Sequence, residues 1–189
     1  MDFGNLGLVV AGLVVGFIVG MTGVGGGSLM TPILLWFGVN PATAVGTDLL
    51  YAAITKSSGV LVHRKNKNID WAITGWLTLG SVPAVVMTLW FLSTLHSSPD
   101  AMNAVIKQAL GFVLFATALA IFFKKRLLDF AHKRAGGNYN PSGPRLNVMT
   151  VITGLVLGTM VALTSIGAGA LGTVALFILY PLLPTRRLV

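Results

Sequence analysis

The sequence contains no cysteine and no glutamate, and charged residues make up only 10% of its 189 residues. Without cysteine, neither a disulfide framework nor a thiolate metal site is available, and the three histidines are scattered along the chain. Only one of the five aspartates lies inside a long apolar segment, so paired carboxylates or a Ser/His/Asp set cannot form in one layer. We therefore expect no enzyme, no metal and no cofactor.

Apolar residues are abundant instead. Hydrophobic residues make up 54% of the chain and the mean hydropathy is +0.84, which excludes an ordinary soluble domain. The formal net charge is +8, but the basic residues lie mostly in short loops between apolar segments, which is the pattern that sets membrane topology. We predict an all-α, multi-pass integral membrane protein that contacts membrane lipid and binds no nucleic acid.

The first apolar segment, residues 3–40, is uncharged and is interrupted at its middle by the run Thr-Gly-Val-Gly-Gly-Gly-Ser at residues 22–28. In hydrocarbon such a break deprives backbone N–H and C=O groups of their helical partners, at several kcal/mol per group. Membrane proteins keep non-helical backbone at mid-depth only where it is buried in protein or lines a wet cavity. The break is therefore a candidate binding site.

The break occurs twice. A shift of 142 residues reproduces the register T-x-x-G-x-G-x-L-x-T and aligns eight identical residues, in which Gly16, Val19, Thr22, Gly25, Gly27, Leu29, Thr31 and Leu34 match Gly158, Val161, Thr164, Gly167, Gly169, Leu171, Thr173 and Leu176. This similarity indicates an internal duplication. We predict a first repeat in residues 1–123 and a partial second repeat, with its broken segment alone, in residues 147–189.

Three further spans follow the first broken segment, at residues 41–62, 71–92 and 102–123, and residues 124–146 form a basic linker between the repeats. Residues 63–68 carry three Lys or Arg and residues 124–145 carry six, whereas residues 93–101 and the chain before Pro41 carry none. The positive-inside rule therefore places both basic loops in the cytoplasm.

The broken segments have two alternative arrangements. If each crosses the membrane once, Arg186 and Arg187 end outside the cell. If each enters the membrane and turns back at its glycines, the two arginines return to the cytoplasm. The re-entrant arrangement satisfies the positive-inside rule throughout and gives the two repeats opposite orientations, so we favour it.

The two breaks are the first candidate for the site. A half-helix that begins near Ser28 points its first N–H groups and the positive end of its dipole into the protein, where an anion can bind. The alternative role of the glycines is close helix packing. The candidate substrate-binding residues are Thr22, Gly23, Gly25, Gly26, Gly27, Ser28, Thr31, Thr164, Ser165, Gly167 and Gly169, with Thr173 as a further hydroxyl donor.

Asp48, in the sequence Gly46-Thr47-Asp48, and Lys56 are the ionisable residues within the second span. Asp48 either carries a coupling proton or positions a wet site, or else it caps a helix start after a local break at Gly46. Lys56 lies ~12 Å further along roughly the same helix face. It either draws an anionic substrate into an interior cavity, which we favour, or snorkels toward the cytoplasmic end.

Several of these motifs, in this order, carry a family resemblance. They are Gly20–Ser28, Thr31-Pro32, Ala44–Asp48, Asp70-Trp71 and the Gly-x-x-Pro of residues 80–83. The sequence resembles the sulfite exporter TauE/SafE family of bacterial membrane permeases. The resemblance implies a multi-pass secondary transporter of the inner membrane with two related halves, for sulfite, sulfonates or another sulfur-containing or organic anion.

One departure from the family pattern concerns the second repeat. The sequence reaches the counterpart of Ala44-Val45 in its final residues, Arg186-Arg187-Leu188-Val189, and we find no counterpart of Gly46, Thr47, Asp48, Lys56 or the last three spans. We expect a truncated product. The alternative to a permease is therefore a non-transporting membrane fragment or a subunit that needs a partner chain to complete the fold. A channel is a third possibility.

Overall fold

A computed structural model of the chain describes residues 3–22, 26–65, 70–95, 98–135 and 143–181. This part of the chain is helical and contains no strand, which confirms the all-α fold expected from the sequence. Its helices are α1 (Phe3–Thr22), α2 (Gly27–Trp36), α3 (Pro41–Lys65), α4 (Trp71–Thr94), α5 (Pro99–Phe122), α6 (Lys124–Ala135), α7 (Pro144–Thr164) and α8 (Ala170–Leu179).

Three helices, α4, α5 and α7, are long and apolar enough to cross a membrane. The second predicted span is also one long helix, since α3 has 25 residues, although it carries Asp48 and Lys56. The first part of the predicted basic linker is helical as well. This helix, α6, packs beside the end of α8, where Leu128 contacts a small apolar cluster.

Local sequence explains where two of these helices begin. The side chain of Asn40 accepts a hydrogen bond from the backbone N–H of Ala42 at 3.0 Å, just before α3. The side chain of Asp70 accepts hydrogen bonds from Ala72 at 3.1 Å and Ile73 at 3.3 Å, just before α4. Such caps satisfy N–H groups that have no acceptor within their own helix.

Each broken segment turns back on itself. A Cβ added at Gly7, early in α1, would lie 3.2 Å from the ring of Phe37, which follows the end of α2. Since α1 alone is about 30 Å long, Phe37 can reach Gly7 only if α2 runs back along α1. In the second copy, the Thr150 and Tyr180 hydroxyls are hydrogen-bonded at 2.7 Å and join the start of α7 to the end of α8. Both copies are hairpins, as the re-entrant arrangement requires.

The most extensive helix pair joins α4 to α7, which lie in the predicted first and second repeats. Small residues let the two backbones touch. A Cβ added at Gly158 would lie 2.6 Å from the Ser81 carbonyl oxygen, and one added at Gly80 would overlap the Val151 carbonyl oxygen. Close packing of this kind, through small residues four apart, is a principal source of helix association in membranes. It ties the two repeats together.

We expect Gly80→Leu to destabilise the protein, because the new side chain must force α4 away from α7. The free energy of unfolding in detergent micelles should fall by about 2 kcal/mol or more, the usual cost of overfilling a packed site. Gly75→Leu is the matched control in the same helix, since an added Cβ at Gly75 meets no described atom within 4 Å. Equal stabilities of the two variants would contradict this account of the pair.

Candidate functional site

The tips of the two hairpins meet. Gly27, at the start of α2, lies against Ser165, which follows the end of α7. A Cβ added at Gly27 would overlap the Ser165 carbonyl oxygen and would lie 2.8 Å from Oδ2 of Asp48. Glycine is therefore required at residue 27, because any side chain would separate the two tips. The two breaks identified in the sequence thus form one structural unit with Asp48.

The tip of the second hairpin is a tight turn. Ser165 has a left-handed backbone (φ 59°, ψ 0°), and Gly167 has φ 118°. Thr164 fixes the turn, since its hydroxyl donates to the Met160 carbonyl at 2.7 Å and accepts from the Ile166 N–H at 3.1 Å. Non-glycine residues held in the left-handed region are costly and cluster at functional sites. The hydroxyl of Thr164 is therefore engaged in holding this turn.

Asp48 is fully buried behind the contact between the tips. The Thr31 hydroxyl donates to its Oδ2 at 3.1 Å. The Ser165 hydroxyl is close enough to interact with the carboxylate, although Asp48 Oδ1 and Ser165 Oγ complete no hydrogen bond with any described residue. A buried carboxylate with one unsatisfied oxygen is costly unless it takes up a proton or a cation.

The alternative in which Asp48 caps a helix start after a break at Gly46 is wrong, because α3 runs unbroken from Pro41 to Lys65. Asp48 lies two turns inside this helix, where the backbone N–H groups already have helical acceptors. Gly46 and Thr47 are exposed at the surface of α3. Of the Gly-Thr-Asp motif, only the aspartate reaches the junction of the tips.

A cavity of ≈ 810 Å³ opens beside this junction, between α1, α3, α4, α7 and α8. Its wall is made mostly of glycine and aliphatic side chains. Among the described residues that line it, Lys56 is the one charged residue. The polar residues that line the cavity are Tyr51, Thr55, Ser81 and Thr173. The cavity therefore offers one cationic group in apolar surroundings.

A small cleft next to the cavity leads to the hairpin tips. It is bordered by the first turns of both short helices, α2 and α8, and by Thr117 of α5. Lys56 borders the cleft as well as the larger cavity. The N-terminal ends of two helices, each with a partial positive charge, therefore face the same small space as the lysine.

The candidate residues from the sequence divide into three groups. Those that line the cavity or the cleft are Gly26, Gly27, Ser28, Lys56, Ser165, Gly167, Gly169 and Thr173. Thr31 and Asp48 lie behind the tips, and Thr164 caps its own turn. Gly23, Gly25 and the side chain of Thr22 lie outside the described residues.

Tyr51, Thr55 and Thr117 line these spaces but were not among the site residues predicted from the sequence. On α3 a signal was available, because Tyr51, Ala52, Thr55, Lys56 and Gly59 are spaced as one face of a helix and all line the cavity. Thr117 offers no comparable pattern. It reaches the cleft because the apolar cluster of α3 and α5 also packs Ile166 of the second tip.

Comparisons with known proteins place the chain in a family and give several relatives. The family model described as "Sulfite exporter TauE/SafE" matches residues 8–189. The chain is 36% identical over 178 residues to the probable membrane transporter protein YjnA of Bacillus subtilis, covering 93% of this chain and 68% of that protein. It is 26% identical over 189 residues to the probable membrane transporter protein YunE of the same organism, covering 92% and 67%. A probable membrane transporter protein of Haemophilus influenzae is 30% identical over 131 residues, covering 67% and 47%. No solved structure matches significantly.

We expect Gly27→Ala to lower the thermal unfolding temperature, because its Cβ would collide with the Ser165 carbonyl. The cost should be ~1–3 kcal/mol, as for other overfilled sites. Gly26→Ala is the control one residue away, since its Cβ would have its nearest neighbour, Asp48 Oδ1, at 3.4 Å. Alanine there should cost less than at residue 27, because Gly26 has φ −60° and ψ −40°, which any residue adopts. A Gly27→Ala variant as stable as Gly26→Ala would show that the tips are not in contact.

Proposed function

Because the chain belongs to the sulfite exporter TauE/SafE family, we propose that this membrane transporter moves a small anion by alternating access across the bacterial inner membrane. Sulfite, a sulfonate or another small sulfur-containing or organic anion is the proposed substrate class. The observation that carries the proposal is the position of Lys56, which borders both the large cavity and the cleft at the hairpin tips.

Electrostatics favours an anion in the large cavity at the mouth of the cleft, since the cleft itself, at ≈ 10 Å³, is about the size of one water molecule. The first turns of α2 and α8 both border the cleft, and the dipole of a helix places a partial positive charge at its N-terminal end. Lys56 adds a full positive charge on the same space. The one buried carboxylate nearby, Asp48, lies behind the tips and lines neither the cleft nor the cavity. An anion at the mouth of the cleft would thus meet the positive charge of Lys56 and of the two helix ends, and no carboxylate is among the described residues that line either space.

Asp48 is the proposed carrier of a coupling proton. It contacts both hairpins, through Thr31 of α2 and through Ser165 after α7. Protonation of the unsatisfied Oδ1 would remove a negative charge from the junction of the tips and so favour the approach of an anion on the other side. The proton would bind to Asp48 on one side of the Gly27–Ser165 contact and the anion would bind on the other side. Movement of the two hairpin tips would then make both sites accessible.

A second candidate is a membrane subunit that does not transport alone. The observation in its favour is α1, which exposes most of its large apolar side chains and makes few contacts with the rest of the chain. In this case the cavity lacks part of its wall until another helix is supplied. The two candidates differ in whether the chain alone moves any anion across a bilayer.

We expect Lys56→Gln to lower the initial rate of anion uptake by roughly tenfold or more, since it removes a charged hydrogen-bond donor. The chain is reconstituted in lipid vesicles and tested with radiolabelled sulfite, sulfonates and carboxylates. Lys107→Gln is the control, because Lys107 is an exposed lysine of α5 that lines neither space. Equal uptake by both variants would refute the proposed site. An unmodified chain that takes up none of the anions would favour the subunit instead.

We expect Asp48→Asn to uncouple uptake from the proton gradient, because asparagine keeps the shape of the side chain but cannot exchange a proton. Uptake by this variant should be the same with and without an imposed pH difference across the vesicle. Asp100→Asn, at the exposed start of α5, should respond as the unmodified chain does. If the Asp48 variant is folded, as judged by its unfolding temperature, and still responds to the gradient, Asp48 is structural.

A further inference from the structure

Helix α6 is the most basic helix of the described chain. Its 12 residues include five Lys or Arg and one Asp, and its first turn contains no acidic residue. Lys124, Lys125 and Arg126, which begin the helix, are exposed, whereas Leu127 and Leu128 are half-buried. The helix therefore has a cationic part and an apolar part, as helices that lie at a membrane surface do.

The lipid-facing surface of α5 ends where these cations begin. Phe115, Leu119 and Phe122 lie on one face of α5 and are exposed, as expected of apolar residues that contact lipid tails. Phe122 is the last residue of α5 and is 81% accessible. The guanidinium carbon of Arg126 lies 5.9 Å from the centre of the Phe123 ring, in a cation–π contact. The change from apolar to cationic surface places the start of α6 at the depth of lipid headgroups.

The helix ends beside α6 lie at the same depth. The cluster at the end of α8, called here the α8 cluster, consists of Phe177, Leu179 and Tyr180. Leu128 of α6, Ile73 of α4 and Leu146 of α7 all pack against it. Trp71, the first residue of α4, is 63% accessible, and tryptophan is typical of the boundary between membrane and water. The α8 cluster therefore lies next to this boundary.

We propose that α6 is an interfacial helix that binds the headgroups of anionic phospholipids and thereby holds the end of α8 at the membrane surface. Charge complementarity identifies the occupant, because three exposed cations directly follow a lipid-facing surface, at the depth of the headgroup phosphates. The exposed rings of Phe122 and Phe123 beside the cations suit the acyl part of a lipid and not a soluble polyanion. Neither the binding nor its effect on stability requires transport.

Helix α8 connects the bound lipid to the candidate site. Its first turn borders the cleft that Lys56 also lines, and its last residue belongs to the α8 cluster. The helix has 10 residues and is therefore about 15 Å long. Leu128 makes the link, since it lies on the same helix as the cations and packs against the α8 cluster. Anionic lipid would thus stabilise the second hairpin from the end opposite its tip.

The first test measures which lipid collects beside α6. Ala118→Cys, on the exposed side of α5, gives a unique thiol for a fluorophore, because the sequence has no cysteine. The labelled chain is placed in phosphatidylcholine vesicles that contain either brominated phosphatidylglycerol or the same fraction of brominated phosphatidylcholine. We expect stronger quenching by the anionic lipid. Replacing Lys124, Lys125 and Arg126 together by Gln should lower the apparent affinity for phosphatidylglycerol about tenfold or more.

A matched control removes the same charge elsewhere. Replacing Arg64, Lys65 and Lys67 together by Gln neutralises the other basic segment of the chain. This variant has the same net charge as the α6 variant, so a general attraction between the protein and the anionic membrane would fall equally in both. We expect the control to keep most of the excess quenching by phosphatidylglycerol.

The second test asks whether the bound lipid holds α8. Phosphatidylglycerol added to phosphatidylcholine nanodiscs should raise the thermal unfolding temperature of the chain, because it binds the folded state. Leu128→Ala should keep the quenching but lose most of this rise, since alanine is too short to reach the α8 cluster. Leu127→Ala should keep the rise, because Leu127 is half-buried but is not among the described residues that pack against the cluster.

Three outcomes of the quenching experiment would overturn the proposal. One is equal quenching by the two brominated lipids. Another is an equal loss of affinity in the two Gln variants, which would mean that net charge alone attracts the lipid. The third is displacement of the lipid by inorganic phosphate at constant ionic strength, which would make the cations a site for a soluble anion. A rise in unfolding temperature that Leu128→Ala leaves intact would refute the link to α8. Circular dichroism checks that each variant is folded.

Discussion

The contact between Gly27 and Ser165 is the constraint on which the arrangement of the site depends. Each hairpin ends in backbone that has left its helix, and in hydrocarbon such backbone needs protein or water around it. Here each tip covers the other, because residue 27 has no side chain to keep them apart. The same contact lies beside Asp48, whose Oδ2 would be 2.8 Å from a Cβ at residue 27, and borders the cleft that Lys56 lines.

Much of this arrangement could be predicted from the sequence, because it follows from backbone chemistry that repeats. The glycine runs located the ends of α1 and α7, and the duplication indicated that the two breaks belong together. Asp48 and Lys56 could be identified because they are charged residues inside a predicted span. The role of Gly46 was not predictable in the same way. Glycine can end a helix or simply face open space, and only the neighbouring structure decides which.

The pairing of α4 with α7 could not be read from the sequence either. Both helices carry small residues four apart, but so does α1, and such a row of small residues does not encode its partner. Which of these small-residue faces meet depends on how all the helices pack together, and that is not encoded in one helix. Thr117 illustrates the same limit, because a threonine in an apolar helix usually bonds to its own backbone, as this one does with the Val113 carbonyl at 2.7 Å.

The duplication also explains why the two halves of the described chain differ in exposure. Helices of similar sequence have similar packing requirements. Glycines such as those that let α4 approach α7 leave a groove on the surface of a helix when no second helix packs there. Lipid tails fill a narrow groove poorly, whereas a helix with its own small residues fits it closely. In the second hairpin, α4 packs closely against α7, and the two helices together form a continuous wall of the cavity. In the first hairpin, a Cβ added at Gly12 or Gly20 of α1 would meet no described atom within 4 Å, and Gly16 and Gly20 border the cavity on that side.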